Sequence, residues 1–344
     1  MGVLKNLMDM VRASWMPGLA AVQTRLMGPY YKAVFLASIA RSDLLGAFAG
    51  NRALGVDDVA LRIGAGSRPD LVAPWLELGV STGVLRRDPS GRFRLRSVEA
   101  RLLARDASGI GPAGLLEVVL YHCEAILAAP RLASSGAALR LGEQGPAIIA
   151  RSTRLVEPLV KATVRQLVQQ ARPRTWLEVG AGDGEYALYA QKQEPNLQVT
   201  CLEIEEELVE QMRDKFLQRG VSGNVTVEHG DVRELKGRRF DVVTLHNLIY
   251  YFSRGERAEL LRHCAELLES GGTLLLTTSV PGRVTAVSAL DLWFRCSDGR
   301  SGLPHEEEIF CAFREAGFTQ ITRTKPLPGF SLVAFMACKE GMRG

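Results

Sequence analysis

Two grammars divide this chain. From Gly2 to about Pro173, apolar positions recur mostly at helical spacing; from Arg174 onward, short apolar runs of strand length alternate with helical stretches. In the first part, Tyr30 to Phe48 reads as one helix. GVDDVALRIG predicts another, with Asp57 or Asp58 as its cap ahead of Val59, Leu61 and Ile63. RPDLVAPWLELGVSTGVL predicts a third, ended by glycines. VLRR and RFRLR then alternate apolar and basic residues on either side of Asp88-Pro89-Ser90-Gly91, which is a hairpin signal. Further helical stretches cover Leu115 to Ala129 and Ile148 to Gln170.

In the second part the strand candidates are Thr175 to Val179, Gln198 to Leu202, Val225 to Glu228, Phe240 to Leu245, Thr273 to Thr278, Thr319 to Thr324 and Leu332 to Ala337. Helical stretches separate most of the first five, so the pattern predicts an α/β fold with a mainly parallel, doubly wound sheet. Ligands of such sheets bind at the carboxyl ends of the strands, near the point where strand order reverses. The last two candidates flank a Pro328-Gly329 turn and read as a hairpin.

Composition narrows the class only a little. With 344 residues there is room for about two domains of ~100 to 200 residues each. Apolar and charged contents of 47% and 23% are those of an ordinary globular chain, and a net charge of +4 is mild. The chain has 34 arginines against 8 lysines, so the cluster Arg92, Arg94 and Arg96 is the one place where a nucleic-acid surface enters consideration. Six cysteines without a C-x-x-C pair or zinc-site spacing predict reduced thiols, no metal and a cytoplasmic setting. No run approaches ~18 uninterrupted apolar residues, and the opening MGVLKN has neither a leader pattern nor an acylation signal. A protein outside the membrane is expected.

The chemistry concentrates in Leu177 to Ala187, LEVGAGDGEYA. An apolar strand carrying one acid, Glu178, runs into Gly180, Gly182 and Gly184, and a helical pattern follows. Such a turn brings helix N–H groups and bare backbone up to a ligand. The dinucleotide fingerprint fails, because its sixth position is Glu185, and no lysine follows to make a phosphate loop.

The G-x-G-x-G turn with its preceding acid resembles motif I of the class I methyltransferases that depend on S-adenosyl-L-methionine (SAM). The order of elements before it resembles the small-molecule O-methyltransferases with an N-terminal winged-helix dimerisation domain. This resemblance implies a seven-stranded Rossmann-like sheet and three regions: a winged-helix dimerisation domain at 1–105, a helical connector lining the acceptor pocket at 106–173, and the SAM domain at 174–344. It also implies roles. Gly180, Gly182 and Gly184 would meet the cofactor's methionine portion, with Glu178 beneath them bonding the loop or the ammonium. Glu203, at the end of QVTCLEIE and nineteen residues beyond Gly184, would accept the ribose hydroxyls. Asp231 and the Val232 N–H, in VEHGDVREL, would meet the adenine. FDVVTLHNLIYYF would deliver His246 and Asn247 to the reactive sulfonium, with Asp241 at the strand's foot.

One departure matters. The catalytic histidine of the resembled family falls at Tyr250, and the two residues after it at Tyr251 and Phe252. His246 stands open as a base, a cofactor-packing residue or a structural histidine; Tyr250 is the second catalytic candidate. Tyr251, Arg295 and Tyr121 are candidates for the acceptor site, with His122 and His305 read as structural, and Ser152 and Arg154 placed near the cofactor carboxylate by position alone. Methylation at O, N or C all remain open. The rival classes are a nucleic-acid methyltransferase that reads with its winged helix, and a SAM-binding scaffold without methyl transfer. The third N-terminal helix, offering Asp70, Trp75, Leu76, Glu77 and Leu78, suits protein contact better than DNA, so a small-molecule substrate and a homodimer are the expected partners.

Overall fold

The computed structural model describes Gly2, Met8 and residues 16–140, 145–221, 223–299 and 301–339; most of the opening segment read for a leader or acylation signal lies outside them. The chain divides into two compact units, residues 1–119 and 120–344.

In the first unit the run predicted as one helix is two, Gly28–Arg41 and Leu44–Phe48. The break falls at Ser42 and Asp43. The Ser42 hydroxyl donates back to the Ser38 carbonyl at 2.7 Å, and Asp43 takes the left-handed conformation with φ +54°. The next helix, Val56–Arg62, starts at Gly55, and Asp58 serves it from the third position by accepting from the Gly55 N–H at 2.8 Å. Neither Asp57 nor Asp58 is therefore the cap residue itself.

The helix Val72–Ser81 buries Val72, Leu76 and Gly79, and the Trp75 indole donates inward to the Ser38 hydroxyl at 3.1 Å. Trp75 and Leu76 thus belong to the unit's own packing, which corrects their reading as an outward contact face. Two short antiparallel strands follow, β1 (Leu85–Arg87) and β2 (Phe93–Leu95), around a turn in which Asp88 accepts from the Ser90 and Arg92 N–H groups. The basic look of this hairpin is largely neutralised: Arg87 pairs with Glu77, Arg92 with Asp58 and Arg94 with Asp88.

The boundary between units lies within a helical run, Ile110–Ser135. It is long and apolar enough to cross a bilayer by length and composition alone, with 28% of its apolar window buried, but Glu117, His122 and Glu124 interrupt it, so it is not the ~18-residue uninterrupted apolar run that the sequence was searched for.

The second unit is built on a seven-stranded sheet of order β5-β4-β3-β6-β7-β9-β8, comprising β3 (Thr175–Val179), β4 (Gln198–Glu203), β5 (Val225–His229), β6 (Phe240–His246), β7 (Leu268–Ser279), β8 (Gln320–Thr324) and β9 (Leu332–Cys338). The first five run parallel, and β9 is antiparallel to both β7 and β8. Central strands such as Val242 to Leu245 are buried throughout because helices cover both faces of a doubly wound sheet. On one face Leu177, Val243 and Leu245 pack with Leu260, Leu261 and Phe313; on the other Trp176 and Val199 pack with Val164, Leu167 and Met212.

Two details position the site. Asp241, at the foot of β6, accepts from the Arg174 and Thr175 N–H groups at 2.7 and 3.1 Å, which locks β6 beside the start of β3. Gly271-Gly272, just outside the strand candidate Thr273 to Thr278, lies inside β7, where the register shifts between Phe240 and Val242. Gly271 has φ +79°, and a Cβ on Gly272 would come within 3.1 Å of the Asp241 carbonyl, so the pair makes a bulge rather than a connection.

Candidate active site

Strand order reverses between β3 and β6, since β4 and β5 continue on one side of β3 while β6 and β7 lie on the other. A cavity of about 580 Å³ opens at the carboxyl ends of these strands. Its wall includes the turn Gly180 to Asp183 after β3, Glu203 at the end of β4, Asp231 and Val232 after β5, and His246, Asn247 and Leu248 after β6. Tyr251 and Phe252 add an aromatic side, and Pro146, Ile149, Ala150, Thr153 and Arg154 close it from the helix Pro146–Ser152 and the turn after it.

The three glycines do different work. All have positive φ, between 58° and 72°. A Cβ on Gly182 would meet only the Ala150 Cβ, at 3.8 Å, so its side faces open space in the cavity. At Gly180 a Cβ would press on Leu248 at 2.8 Å. Gly184 is absent from the wall: its Cβ would sit 2.5 Å from the Phe216 ring and 2.9 Å from the Met212 sulfur, so this glycine lets the helix Glu206–Gln218 pack against the turn. Its assignment to cofactor contact is corrected accordingly.

Glu203 holds the turn. One carboxylate oxygen accepts from the Gly182 N–H at 2.8 Å, and the other accepts from the N–H groups of Ile204 and Glu205 at 2.9 and 3.1 Å. The oxygen bonded to Gly182 keeps acceptor capacity for one further donor from a ligand. Asp231 is paired with Arg233, whose Nε lies 2.9 Å from it, and caps the short turn Val232–Glu234. Arg233 in turn lies over the Phe252 ring.

Glu178 is off the cavity wall and wholly buried in β3. Burial, then the nearby carboxylates of Asp183 and Glu203, push its pKa well above the ordinary value; the Ala187 N–H opposes this, and one carboxyl oxygen has no partner among the described residues. A neutral carboxyl beneath the turn is the state this setting favours. Around the turn runs a charged network in which Arg154 bonds Asp183 at 2.6 Å and Glu157 at 2.6 Å, and Lys215 bridges Asp183 and Glu185. Burial raises the Glu185 carboxyl, but Lys215, Arg219 and Arg154 outweigh it and hold it at about 2.

His246 is buried, with Nδ1 2.9 Å from the Thr277 hydroxyl and its ring against Tyr186. Burial lowers its pKa to about 3, so the imidazole is neutral at physiological pH and a weak base. The second catalytic candidate, Tyr250, is displaced from the cavity wall: it is buried in an aromatic cluster with Tyr251, Trp293 and Phe294. Tyr121 belongs to the same cluster, stacked on Trp293, and its hydroxyl accepts from the Gly145 N–H at 2.9 Å. His122 lies against Trp293 as well. Arg295 is bound to Asp291 at 2.8 Å and is half exposed. Of the acceptor-site candidates only Tyr251 reaches the cavity, and His305 begins the helix Glu306–Glu315 as a structural residue. Among the described residues no group of acids, cysteines and histidines is arranged to hold a metal.

The cavity also contains residues to which the sequence reading gave no role: Asp183, Tyr186 and Phe252, with Thr277 behind His246. Asn247, at the strand tip, has φ +53°, and its side-chain amide nitrogen has no hydrogen-bond partner among the described residues. Tyr186 had one available signal, a large polar side chain on the first turn of the helix that follows the glycines.

Residues 177–272 match the family described as a methyltransferase domain. Over nearly its whole length the chain is similar in structure to an O-methyltransferase family protein from Burkholderia thailandensis, at 20% identity over 95% of this chain and 99% of that one, with a TM-score of 0.69. Human N-acetylserotonin methyltransferase, solved with SAM, is similar at 15% identity over 92% and 97%, with a TM-score of 0.70. Mitomycin 7-O-methyltransferase is similar at 16% identity over 95% and 99%, with a TM-score of 0.71. The fold is that of the class I, SAM-dependent methyltransferases. Within it, this chain carries a methyltransferase domain whose matched segment spans the glycine turn and the ends of β4, β5 and β6.

Proposed function

We propose that this protein transfers the methyl group of SAM to a small-molecule acceptor. The observation that carries the reading is the single cavity wall on which the open Gly182, the Glu203 carboxylate, Asp231 and the β6 tip converge at the switch point of the sheet. These residues fit the cofactor. Glu203 has acceptor capacity for a ribose hydroxyl, Asp231 and Phe252 would flank a planar base, and Arg154, bonded to Asp183 and Glu157, brings a guanidinium to the same wall for the amino-acid carboxylate. Bound SAM supplies an electrophilic methyl carbon.

The protein's own work is placement of the acceptor in line with that carbon, which is where such a reaction gains most. Leu248 and Tyr251 bound the volume beside the β6 tip. His246 is held neutral and contributes little as a base, so the acceptor is one that arrives with a free lone pair or already ionised. The names of the similar proteins, for N-acetylserotonin and for the 7-O position of mitomycin, support a small-molecule acceptor. Incubation with methyl-labelled SAM and a small-metabolite extract tests the reading: label recovered in a small-molecule product supports it, and SAM binding without transfer would leave a scaffold role.

The first unit is proposed to form a homodimer. Leu26, Leu61, Val98 and Leu102 are all exposed on it, and the pairing of its hairpin arginines with acids disfavours nucleic acid. Six free cysteines fit a cytoplasmic setting. Sedimentation of the intact protein and binding to labelled duplex DNA at low salt check the first two points.

A further inference from the structure

Arg257 is a charged residue only 2% exposed, and it lies off the wall of the cofactor cavity. It sits on the first turn of the helix Arg254–Glu266, which begins just after Phe252. A buried charge is costly unless it is paired and fully hydrogen-bonded, and here each guanidinium nitrogen reaches a different segment. Nε donates to the Phe252 carbonyl at 3.2 Å, Nη2 to the Gly302 carbonyl at 2.6 Å and Nη1 to the Glu308 carboxylate at 3.2 Å. Burial lowers the pKa of this arginine and Glu308, which also holds Arg254, opposes the shift; a guanidinium stays charged in any case.

The partners do different work. Gly302 is a fixed point: it has φ +77°, a Cβ there would come within 2.6 Å of Asp291 Oδ1, and the neighbouring Leu303 N–H donates to that same oxygen at 2.7 Å. Phe252 is the end that faces the ligand. Its backbone is extended and lies outside the helix, whose first bonds go to the Ser253 carbonyl at 3.1 and 3.2 Å, so the Phe252 carbonyl is left to the arginine. Phe252 also lines the cavity, with Arg233 6.0 Å over its ring and Arg233 bonded to Asp231. A line of contacts therefore runs from the Gly302 anchor through Arg257 to the wall where the base of the cofactor would sit.

We propose that Arg257 is a positioning residue for the cofactor's adenine: by tying the Phe252 carbonyl to the Gly302 anchor it holds the Phe252 ring where it flanks the base. This inference rests on the SAM reading of the cavity. Lysine is a poor replacement, because one ammonium on a flexible stem does not span three acceptors that a planar fork reaches together.

The test titrates the full chain by calorimetry with S-adenosylhomocysteine and methylthioadenosine, which share the adenine and differ in the amino-acid portion. Wild type is compared with Arg257→Lys, Phe252→Ala and the double variant, with circular dichroism to show that each is folded. Arg257→Lys is expected to weaken both nucleosides about ten-fold, and Phe252→Ala to do likewise. The double variant is expected to bind no worse than Phe252→Ala alone, because the placement of an absent ring has no effect. Added to Arg154→Met, which alters the carboxylate end, Arg257→Lys is expected to cost S-adenosylhomocysteine its full factor again. A merely structural arginine would lower the melting temperature without this selective pairing. Unchanged affinities in Arg257→Lys, or losses that multiply with those of Phe252→Ala, overturn the proposal. Should Arg257→Lys fail to fold, Glu308→Gln is read in the same way, since it lies off the cavity wall and withdraws the counter-charge of the arginine. A weakening of both nucleosides by about three-fold that disappears in the Phe252→Ala background supports the proposal, and no loss or a multiplying loss overturns it. Failure of wild type to bind either nucleoside would instead remove the cofactor reading on which it stands.

Discussion

The neutral state of His246 has a measurable cost to stability. In the unfolded chain this imidazole titrates near its ordinary ~6.5, whereas burial holds it at about 3 in the folded protein. Above the unfolded value both states are neutral and the residue contributes nothing to the pH dependence. As pH falls through ~6.5, the unfolded chain takes up a proton that the folded chain refuses until about 3, so stability is lost. At pH 5 the solution lies ~1.5 units below the unfolded pKa, which corresponds to about 2 kcal/mol of destabilisation. Glutamine at this position titrates nowhere in the range. Urea denaturation of wild type and His246→Gln at pH 7.5 and pH 5 isolates the term, because all other titrating groups are shared. The stability difference between the two proteins is predicted to move by about 2 kcal/mol in favour of the variant on going to pH 5. A difference that stays constant would mean that the folded histidine accepts a proton normally, and would refute its burial in the neutral form.

Glu178 behaves with the opposite sense. Its folded pKa is raised, so stability falls as pH climbs above the ordinary carboxyl range, and Glu178→Gln is predicted to gain stability over wild type between pH 4.5 and pH 7.5 in thermal melts of the cofactor-free protein. Gly184→Ala places a methyl group 2.5 Å from Phe216 at φ +72°, so it is expected to lose roughly 2 to 3 kcal/mol in urea denaturation, more than Gly182→Ala, whose Cβ meets open space. Arg154→Met is predicted to weaken S-adenosylhomocysteine about ten-fold by calorimetry while leaving methylthioadenosine unchanged, since only the first carries a carboxylate for the guanidinium.

Six of the seven strands of the second unit were legible to within one residue at each end, because strands of a covered sheet are short apolar runs bounded by polar turns, whereas β7 starts five residues ahead of its candidate, at Leu268. Thr175 to Val179 needed no adjustment, and β4, β5 and β6 each gained one residue at the end that delivers a site residue or its neighbour. Where local chemistry competed with pattern, the reading missed. The Ser42-Asp43 break interrupts a run whose apolar spacing continues through it, and Gly271-Gly272 has the composition of a turn but is held in the ladder by its neighbours. Within the site, backbone-determined features such as the glycine turn could be located from spacing alone. The separation of Gly184 from Gly182 could not, because it depends on Phe216 and Met212 arriving from a later helix. Tyr250 and Tyr121 were candidates for the same reason that they are core: aromatic residues with polar tips serve either purpose, and only packing against Trp293 and Phe294 decides between them.

The central claim is that the bare turn at Gly182, tied to Glu203, makes the cofactor seat. Calorimetric titration of S-adenosylhomocysteine into wild type and Gly182→Val tests it most directly, with circular dichroism to show that both are folded. The account predicts saturable binding of one molecule per chain by wild type and none detectable in the variant, whose side chain would project into the cavity. Equal binding by the two proteins, or none by wild type, would contradict it.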